Sequence, residues 1–408
     1  MRILMLTQWF DPEPTFKGLA FAKELVRLGH EVEVLTGFPN YPGGKLYDGY
    51  KVRLLQRENI DGISVLRVPL YPSHDGSALK RIANYFSFAL SAAFMGALLV
   101  KPADVMYVYH PPATVGFAAS VISMIRRIPF VYDIQDLWPD TLAATGMLNN
   151  HGILKLVDIG CRIIYRQASK LVVLSPGFKD ILVTRGIPAK KIEVIYNWCD
   201  EENIQRKYST AGLDEKNGLA GRFNIVFAGT MGKAQALDTV IDAAKIILYS
   251  RPNVQFVFVG SGIEVVRLKK KTEEMGLTNV LFLPRMPIQE IGAILALADV
   301  LLVHLRNDPL FCITLPSKTQ AYMAAGRPIL MAVQGDAAHL VEQGQAGLAC
   351  MPENTQEIVA AVERFCGMTG QELEDMGNNG KKFYEKELSL AVGVDKFVSV
   401  FSAVHNQQ

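Results

Sequence analysis

Short apolar runs alternate with amphipathic segments from the first residue onward, which is the pattern of β-strands joined by crossover helices in parallel sheets. In the first half the runs predict strands at residues 2–6, 31–36, 62–69, 104–109, 129–133, 170–174 and 191–195. The clearest intervening helix covers residues 18–28 and stops at Gly29. The rhythm breaks over residues 197–222, a polar stretch holding Gly212, Gly218 and Gly221, which reads as a connection between domains. It resumes with strands predicted at 224–228, 254–259, 279–283, 299–304 and 328–333, and from Thr355 the tail is mostly helical. The expected architecture is therefore α/β, with two doubly wound domains at 1–196 and 223–387 and a C-terminal helix, about 388–408, that packs back on the first. Ligands are expected at the carboxyl ends of the strands and in the cleft between the domains.

Composition narrows the field. A chain of 408 residues that is 50% hydrophobic can fill two or three sizeable cores. Its net charge of +2 gives no basis for a nucleic-acid partner. The five cysteines are scattered without a CxxC pair, so they predict neither a disulfide framework nor a zinc site and fit a cytoplasmic compartment. The N-terminal apolar run ends at the polar Thr7 and Gln8 with no small-residue cleavage site, unlike a signal peptide. Residues 82–100 carry no charge and are flanked by Lys80, Arg81 and Lys101. Their length touches the lower limit of a membrane span, yet Asn84, Ser87, Ser91 and Gly96 dilute the run and a strand follows. Two readings stay open: a crossover helix that dips an exposed face into a membrane surface, or a true span.

The most specific stretch is Leu315-Pro316-Ser317-Lys318-Thr319-Gln320-Ala321-Tyr322-Met323-Ala324-Ala325-Gly326-Arg327-Pro328. It reads as a loop opening a helix, followed by a Gly-X-Pro stop. The first-turn N–H groups and the positive end of the helix dipole attract phosphate, and Lys318 adds a full charge; a capped core helix with an incidental lysine is the alternative. After the first strand, Lys17 and Gly18 offer a charge and a close backbone approach to an anion, or else form an ordinary βα loop. Residues 229–235 place Gly229, Gly232 and Lys233 after a strand, which suits a diphosphate but is not a Walker A loop. Gly260-Ser261-Gly262 resembles the start of a dinucleotide fingerprint, but Val265 replaces its third glycine and no acid ends the next strand. A nicotinamide cofactor is not expected, and these glycines read as structural.

His110-Pro111-Pro112 ends one strand and Asp133-Ile134-Gln135-Asp136-Leu137-Trp138-Pro139-Asp140 ends the next. His110 is placed for an acceptor hydroxyl, and Gln135 or Asp136 for sugar hydroxyls; a satisfied core histidine is the alternative for His110. The three aspartates raise the question of a metal. Without a DxD, an HExxH or a His–His spacing, none is expected.

Taken together, these residues resemble the retaining family 4 glycosyltransferases of bacterial surface-polysaccharide assembly. The likeness covers nearly the whole chain, including Gly29-His30-Glu31-Val32, Thr36-Gly37-Phe38-Pro39-Asn40-Tyr41-Pro42-Gly43-Gly44, Asn197-Trp198 and the stretches above. It is nearest to O-antigen and colanic-acid enzymes of the L-fucosamine-transferase type. The resemblance implies the GT-B fold, with two Rossmann-like domains facing across a cleft. It implies a UDP-sugar donor carrying N-acetyl-L-fucosamine or a related amino sugar, a polyprenyl-diphosphate-linked sugar acceptor, and peripheral attachment at the inner membrane surface. No cofactor or metal is implied.

By the same likeness Arg285 and Met286 would bind the nucleobase, and Ser317 and Lys318 the donor diphosphate, joined on the residue reading by Lys17, Gly18, Gly232 and Lys233. The catalytic set would be His110, Gln135, Asp136, Lys233 and Lys318, with the lysines stabilising charge on the leaving phosphate. One departure stands out. Many family members carry two glutamates spaced by seven residues, the second of which holds the nucleotide ribose, and here Ile313 stands at the first position and Ala321 at the second. A UDP-sugar 2-epimerase of the same fold and a non-catalytic nucleotide-sugar-binding protein remain the competing readings.

Overall fold

The computed structural model describes residues 1–73, 78–144, 148, 150–206 and 212–407. The chain divides into two compact units, Met1–Tyr196 with Gly393–Gln408, and Asn197–Val392. The stretch 197–222, read from sequence as a connection, is thus counted with the second unit. Its anchoring is visible: Cys199 donates its N–H to the Tyr384 hydroxyl at 3.1 Å, and that hydroxyl donates to Glu201 at 2.8 Å. The C-terminal helix Leu390–His405 belongs to the first unit from Gly393 on, where the Phe397 ring packs against Phe21 and Tyr107 at 5.2 and 5.4 Å.

In the first unit the strands are β1 (Arg2–Leu6), β2 (Glu31–Gly37), β3 (Gln56–Ile60), β4 (Ile63–Val68), β5 (Val105–Tyr109), β6 (Phe130–Ile134), β7 (Lys170–Val173) and β8 (Ile192–Val194). They form one sheet in the order β3-β4-β2-β1-β5-β6-β7-β8, parallel except for the β3–β4 pair. The sheet grows one way from β1 to β2 and the other way from β4 to β5 onward. Right-handed crossovers therefore put helix Leu19–Arg27 on one face and helices Ala78–Leu99, Thr114–Arg126 and His151–Gln167 on the other. Helices on both faces bury β5 and β6 at every position, which is why these strands read as unbroken apolar runs.

Residues 82–100 fall in helix Ala78–Leu99, the crossover from β4 to β5. By length and composition alone Leu79–Leu99 is able to cross a membrane. Its inner face is committed to the sheet, however, with Phe88, Ala89, Ala92 and Ala93 buried. A Cβ on Gly96 would lie 2.5 Å from a methyl of Ile122, which shows how closely this helix meets Thr114–Arg126. Asn84, one of the polar residues that dilute the run, is also buried. It accepts from the Gln8 amide at 2.6 Å and donates to the Tyr71 carbonyl at 2.7 Å. In the structure this helix packs as the crossover between β4 and β5.

The second unit holds β9 (Phe223–Ala228), β10 (Val254–Val259), β11 (Val280–Leu283), β12 (Val300–His304), β13 (Ile329–Ala332) and β14 (Gly347–Ala349) in the parallel order β11-β10-β9-β12-β13-β14. Phe227, Phe256 and Phe258 project into a core closed by Ile241 and Ile247 on one helix and Ile358 and Phe365 on another. The β9–β10 pairing runs on past the strand ends: Gly229 donates to the Val259 carbonyl and Met231 to the Ser261 carbonyl, both at 2.8 Å. This close approach explains Gly260-Ser261-Gly262. Gly260 has φ 141°, and a Cβ there would lie 2.1 Å from the Gly229 carbonyl oxygen. The glycines are used for packing backbone on backbone.

Gly260→Ala should consequently cost about 2–5 kcal/mol, combining a strained φ with overpacking. A lowered urea midpoint would show it, whereas an unchanged midpoint would mean that the two loops separate freely.

Candidate active site

At the carboxyl edge of the first sheet, Lys17 and Asp133 form an ion pair at 2.6 Å with both side chains fully shielded from solvent. The same Asp133 oxygen accepts from the Tyr107 hydroxyl at 2.7 Å, and the other accepts from the Gln135 amide at 2.6 Å. The Lys17 ammonium also lies 4.8 Å from the centre of the Phe397 ring. Burial lowers the lysine's pKa, and Asp133 works against that shift. Lys17 is thus not the diphosphate ligand expected from sequence; its charge is spent inside the unit. Gln135 is likewise engaged with Asp133. Gly18 departs from expectation too, because the Asp11 carboxylate accepts from the Leu19 N–H at 2.7 Å and a Cβ on Gly18 would lie 2.3 Å from that oxygen. This helix start is capped by the chain's own carboxylate, which leaves no room there for a phosphate.

His110 and Asp136 do come together. The His110 N–H bonds to the Asp133 carbonyl at 3.1 Å, and its ring lies against Tyr132 and Trp138. Burial pushes the imidazole pKa down to about 3, so the ring is neutral. Its Nδ1 accepts a long bond, 3.4 Å, from the Asp136 N–H, which puts the proton on Nε2. In that tautomer His110 donates a hydrogen bond to a ligand and does not act as a base through Nε2. The Asp136 carboxylate accepts no hydrogen bond among the described residues, and burial raises its pKa.

Asp140 is paired with Arg185 at 2.6 Å and Asp133 with Lys17, so the three aspartates have separate roles. Glu13, not anticipated from sequence, accepts backbone N–H bonds from Phe10, Asn40 and Tyr41 at 3.2, 2.8 and 2.7 Å. It joins the loops after β1 and β2, where the Trp9 and Tyr41 rings stack with centroids 4.3 Å apart.

In the second unit the focus is helix Ser317–Ala325, with Pro316 at its N-cap. Tyr322 pins it to β9: its hydroxyl accepts from the Ala228 N–H at 2.9 Å. One turn earlier, Lys318 is laid against β9 as well, its ammonium 3.5 Å from the centre of the Phe227 ring. A Cβ on Gly229 would lie 2.6 Å from the Lys318 Cε, so only glycine leaves this channel open. Lys318 makes no ion pair among the described residues, and burial lowers its pKa to about 7. Ser317 is exposed at the first helical position, where backbone N–H groups lack intrahelical acceptors.

Lys233 is exposed on the neighbouring loop. Gly232, expected to offer its backbone to a diphosphate, instead donates its N–H to the Gln235 side chain at 2.9 Å. His304, missed by the sequence reading, fixes that turn through Nδ1 bonded to the Gln235 carbonyl at 2.7 Å. Arg285 is exposed and Met286 half-buried just beyond β11, beside the Gly260 loop. Ile313 and Ala321 supply no carboxylate.

Three comparisons with known proteins bear on this arrangement. Residues 19–198 match the family described as Glycosyl transferase 4-like domain, and residues 212–383 match Glycosyl transferases group 1. Among relatives, the chain is 26% identical over 380 residues to WcaI of Escherichia coli K12, a glycosyl transferase named for colanic acid biosynthesis, covering 89% of this chain and 92% of that one. It is 23% identical over 300 residues to the Pseudomonas aeruginosa protein WbjE, named as a glycosyltransferase, covering 72% and 74%. Among solved structures, Anabaena HepE in complex with UDP-glucose superposes with a TM-score of 0.71 at 19% identity, covering 99% of this chain and 100% of that one. Sucrose-phosphate synthase from Thermosynechococcus elongatus gives 0.73 at 14% identity, with both chains covered fully at 100%. The shared fold is GT-B, two Rossmann-like α/β domains.

The two lysines should separate cleanly. Lys17→Met leaves Asp133 buried and unpaired, so it should destabilise the protein by about 3–5 kcal/mol while the thermal stabilisation given by UDP persists. Lys318→Ala should barely move the melting temperature without ligand yet weaken UDP roughly 10- to 200-fold. The reverse pattern in thermal-shift titrations would exchange their roles.

A proton should accompany the nucleotide. Above the unliganded pKa of about 7, Lys318 is mostly neutral, and a diphosphate favours its ammonium. UDP binding at about pH 8 should therefore take up close to one proton, and affinity should fall as pH rises above about 7. Calorimetry in two buffers of different ionisation enthalpy measures this uptake. Equal heats in both buffers, or an unchanged uptake in Lys318→Ala, would contradict the assignment.

Proposed function

We infer that this chain of GT-B fold, matched by glycosyl transferase family models over both of its halves, is an enzyme that moves a sugar from a UDP-sugar to a polyprenyl-diphosphate-linked sugar during surface-polysaccharide assembly. The sugar is N-acetyl-L-fucosamine or a related amino sugar. The observation that carries the donor half is Lys318, half-buried against the Phe227 ring with no anionic partner among the described residues, in the first turn of helix Ser317–Ala325. A buried cation in such a place is stabilised when an anion arrives. The name of WcaI and the UDP-glucose complex of HepE agree with this reading.

In the reaction the bond between the anomeric carbon and the β-phosphate oxygen breaks, and its electron pair leaves with the nucleoside diphosphate. Lys318, the first-turn amides and Lys233 stabilise that developing charge in a site of low polarity. The acceptor hydroxyl adds to the anomeric carbon on the face the phosphate leaves, and its proton passes to the leaving phosphate, so configuration is retained. On the first unit, the Nε2–H of His110 and the carboxylate of Asp136 are the groups assigned to sugar hydroxyls. Lysines and amides do for the diphosphate what a divalent cation does in other transferases, and turnover needs no metal.

A donor panel tests this. Individual UDP-, GDP- and dTDP-sugars are mixed with a short polyprenyl-diphosphate-linked GlcNAc, and the product mass is read. A UDP-amino sugar should give the increment, and excess EDTA should leave the rate within about twofold. Product without acceptor would favour an epimerase. Binding of UDP without turnover of any donor would leave a nucleotide-sugar-binding protein, and loss of activity in EDTA restored by magnesium or manganese would end the metal-free scheme.

A further inference from the structure

Lys233, the exposed lysine of the proposed donor site, stands on a turn that is held from outside. Residues Lys233–Gln235 form a single turn of 3-10 helix after β9. Within the loop, Gln235 and Ala236 donate their N–H groups back to the Gly232 and Lys233 carbonyls at 3.1 and 3.3 Å, and the Gln235 side chain accepts from the Gly232 N–H at 2.9 Å. So short a turn gains little from these bonds against the conformational entropy of ordering it. The carbonyls of Ala234 and Gln235 are taken by the segment that leaves β12. The Arg306 N–H donates to the first at 2.8 Å and the His304 ring to the second at 2.7 Å.

His304 is the last residue of β12, whose other positions are valine and leucine, and it is wholly buried. A polar ring at such a position costs desolvation unless both nitrogens are satisfied, and both are. Their partners allow one protonation state. The Gln235 carbonyl can only accept, so Nδ1 carries a proton; the Glu353 N–H, 3.2 Å from Nε2, can only donate, so Nε2 carries none. Burial agrees, holding the pKa below the ordinary histidine value, and the Lys318 charge acts in the same direction. Glu353 is fixed in turn, its carboxylate accepting from the Asn307 N–H at 2.6 Å. It has φ 56°, a left-handed conformation that a residue other than glycine keeps where its surroundings hold it. His304 thereby ties together the loops that follow β9, β12 and β14.

We propose that His304 is a positioning residue for the donor reaction: through the Gln235 carbonyl it fixes the backbone from which Lys233 reaches the terminal phosphate of the nucleotide. The inference rests on the donor reading above and adds to it the group that makes a flexible surface lysine a preorganised charge.

A double-mutant cycle on UDP affinity, measured by calorimetry on the full chain, tests it. Lys233→Ala should weaken UDP about tenfold and H304L about fivefold, whereas K233A/H304L should bind within about twofold of K233A alone, because a displaced turn matters only while it carries the charge. Melting temperature should behave differently, falling equally on H304L with and without Lys233. His304→Asn brings an amide N–H near the position of Nδ1 and should restore UDP binding to within about twofold of wild type. If H304L does not fold, H304Q takes its place in the cycle, since it keeps an acceptor for the Glu353 N–H and gives up the bond to Gln235. Losses that multiply in full in the double variant, or an H304N as weak as H304L, would overturn the proposal and leave His304 a purely structural residue. Wild-type affinity in Lys233→Ala beside an impaired Lys318→Ala would also overturn it, while the diphosphate stays assigned to Lys318. Wild-type affinity in Lys318→Ala would instead strike the donor reading, and this proposal with it.

Discussion

The ion pair between Lys17 and Asp133, wholly withdrawn from water, is the interaction around which the first unit's edge is built. A buried carboxylate has to have its lone pairs satisfied, and Lys17, Tyr107 and Gln135 do so from the loop after β1, from β5 and from the end of β6. The Asp133 carbonyl then receives the His110 N–H, so the group that holds the lysine also sets the histidine. Phe397 closes the arrangement from the C-terminal helix, and this gives a physical reason for the chain's return to its first unit. His110 and Asp136 stand at fixed positions because the residue beneath them has no freedom left.

The second unit handles a desolvated lysine in the opposite way. Lys318 has an aromatic face beneath it and a glycine above it, but no carboxylate among the described residues. A π-face attracts an ammonium far less strongly than a full negative charge at contact distance. The deficit appears as the depressed pKa, and it is also what makes the position useful. An ammonium held there would gain its counter-charge from a bound diphosphate, as the proposed donor site requires.

Most of the strands were legible because β5, β6, β9, β10 and β12 are almost wholly buried and write uninterrupted apolar runs. β3 was not read, since Gln56–Ile60 is a partly exposed antiparallel edge whose residues, QRENI, carry polar side chains at nearly every position. β14, Gly347–Ala349, is too short for any period to show. The sites divide by the same logic. Lys17 and Lys318 give the same local signal, a lysine at a helix start after a strand, and only tertiary contact distinguishes them. The partner of Lys17 lies 116 residues away. Gly18 and Gly232 misled for a nearer reason: Asp11 and Gln235 already occupy the N–H groups that a phosphate would use. Tyr322, by contrast, was visible in the motif, but its work of pinning the helix to Ala228 was not.

The absent glutamates fit this electrostatic picture. A carboxylate at position 321 would stand one helical turn from Lys318, the spacing at which opposite charges pair along a helix. It would supply the counter-charge that Lys318 lacks and lift the lysine back toward an ordinary pKa. With Ala321 there, Lys318 has no carboxylate beside it among the described residues, and its pKa stays at about 7. A glutamate at position 321, which by the resemblance would hold the ribose, would thus also compete with a diphosphate for the same cation. With Ile313 and Ala321 at these positions, the proposed donor site would have to hold the nucleotide mainly at its phosphate end, through Lys318 and the first-turn amides.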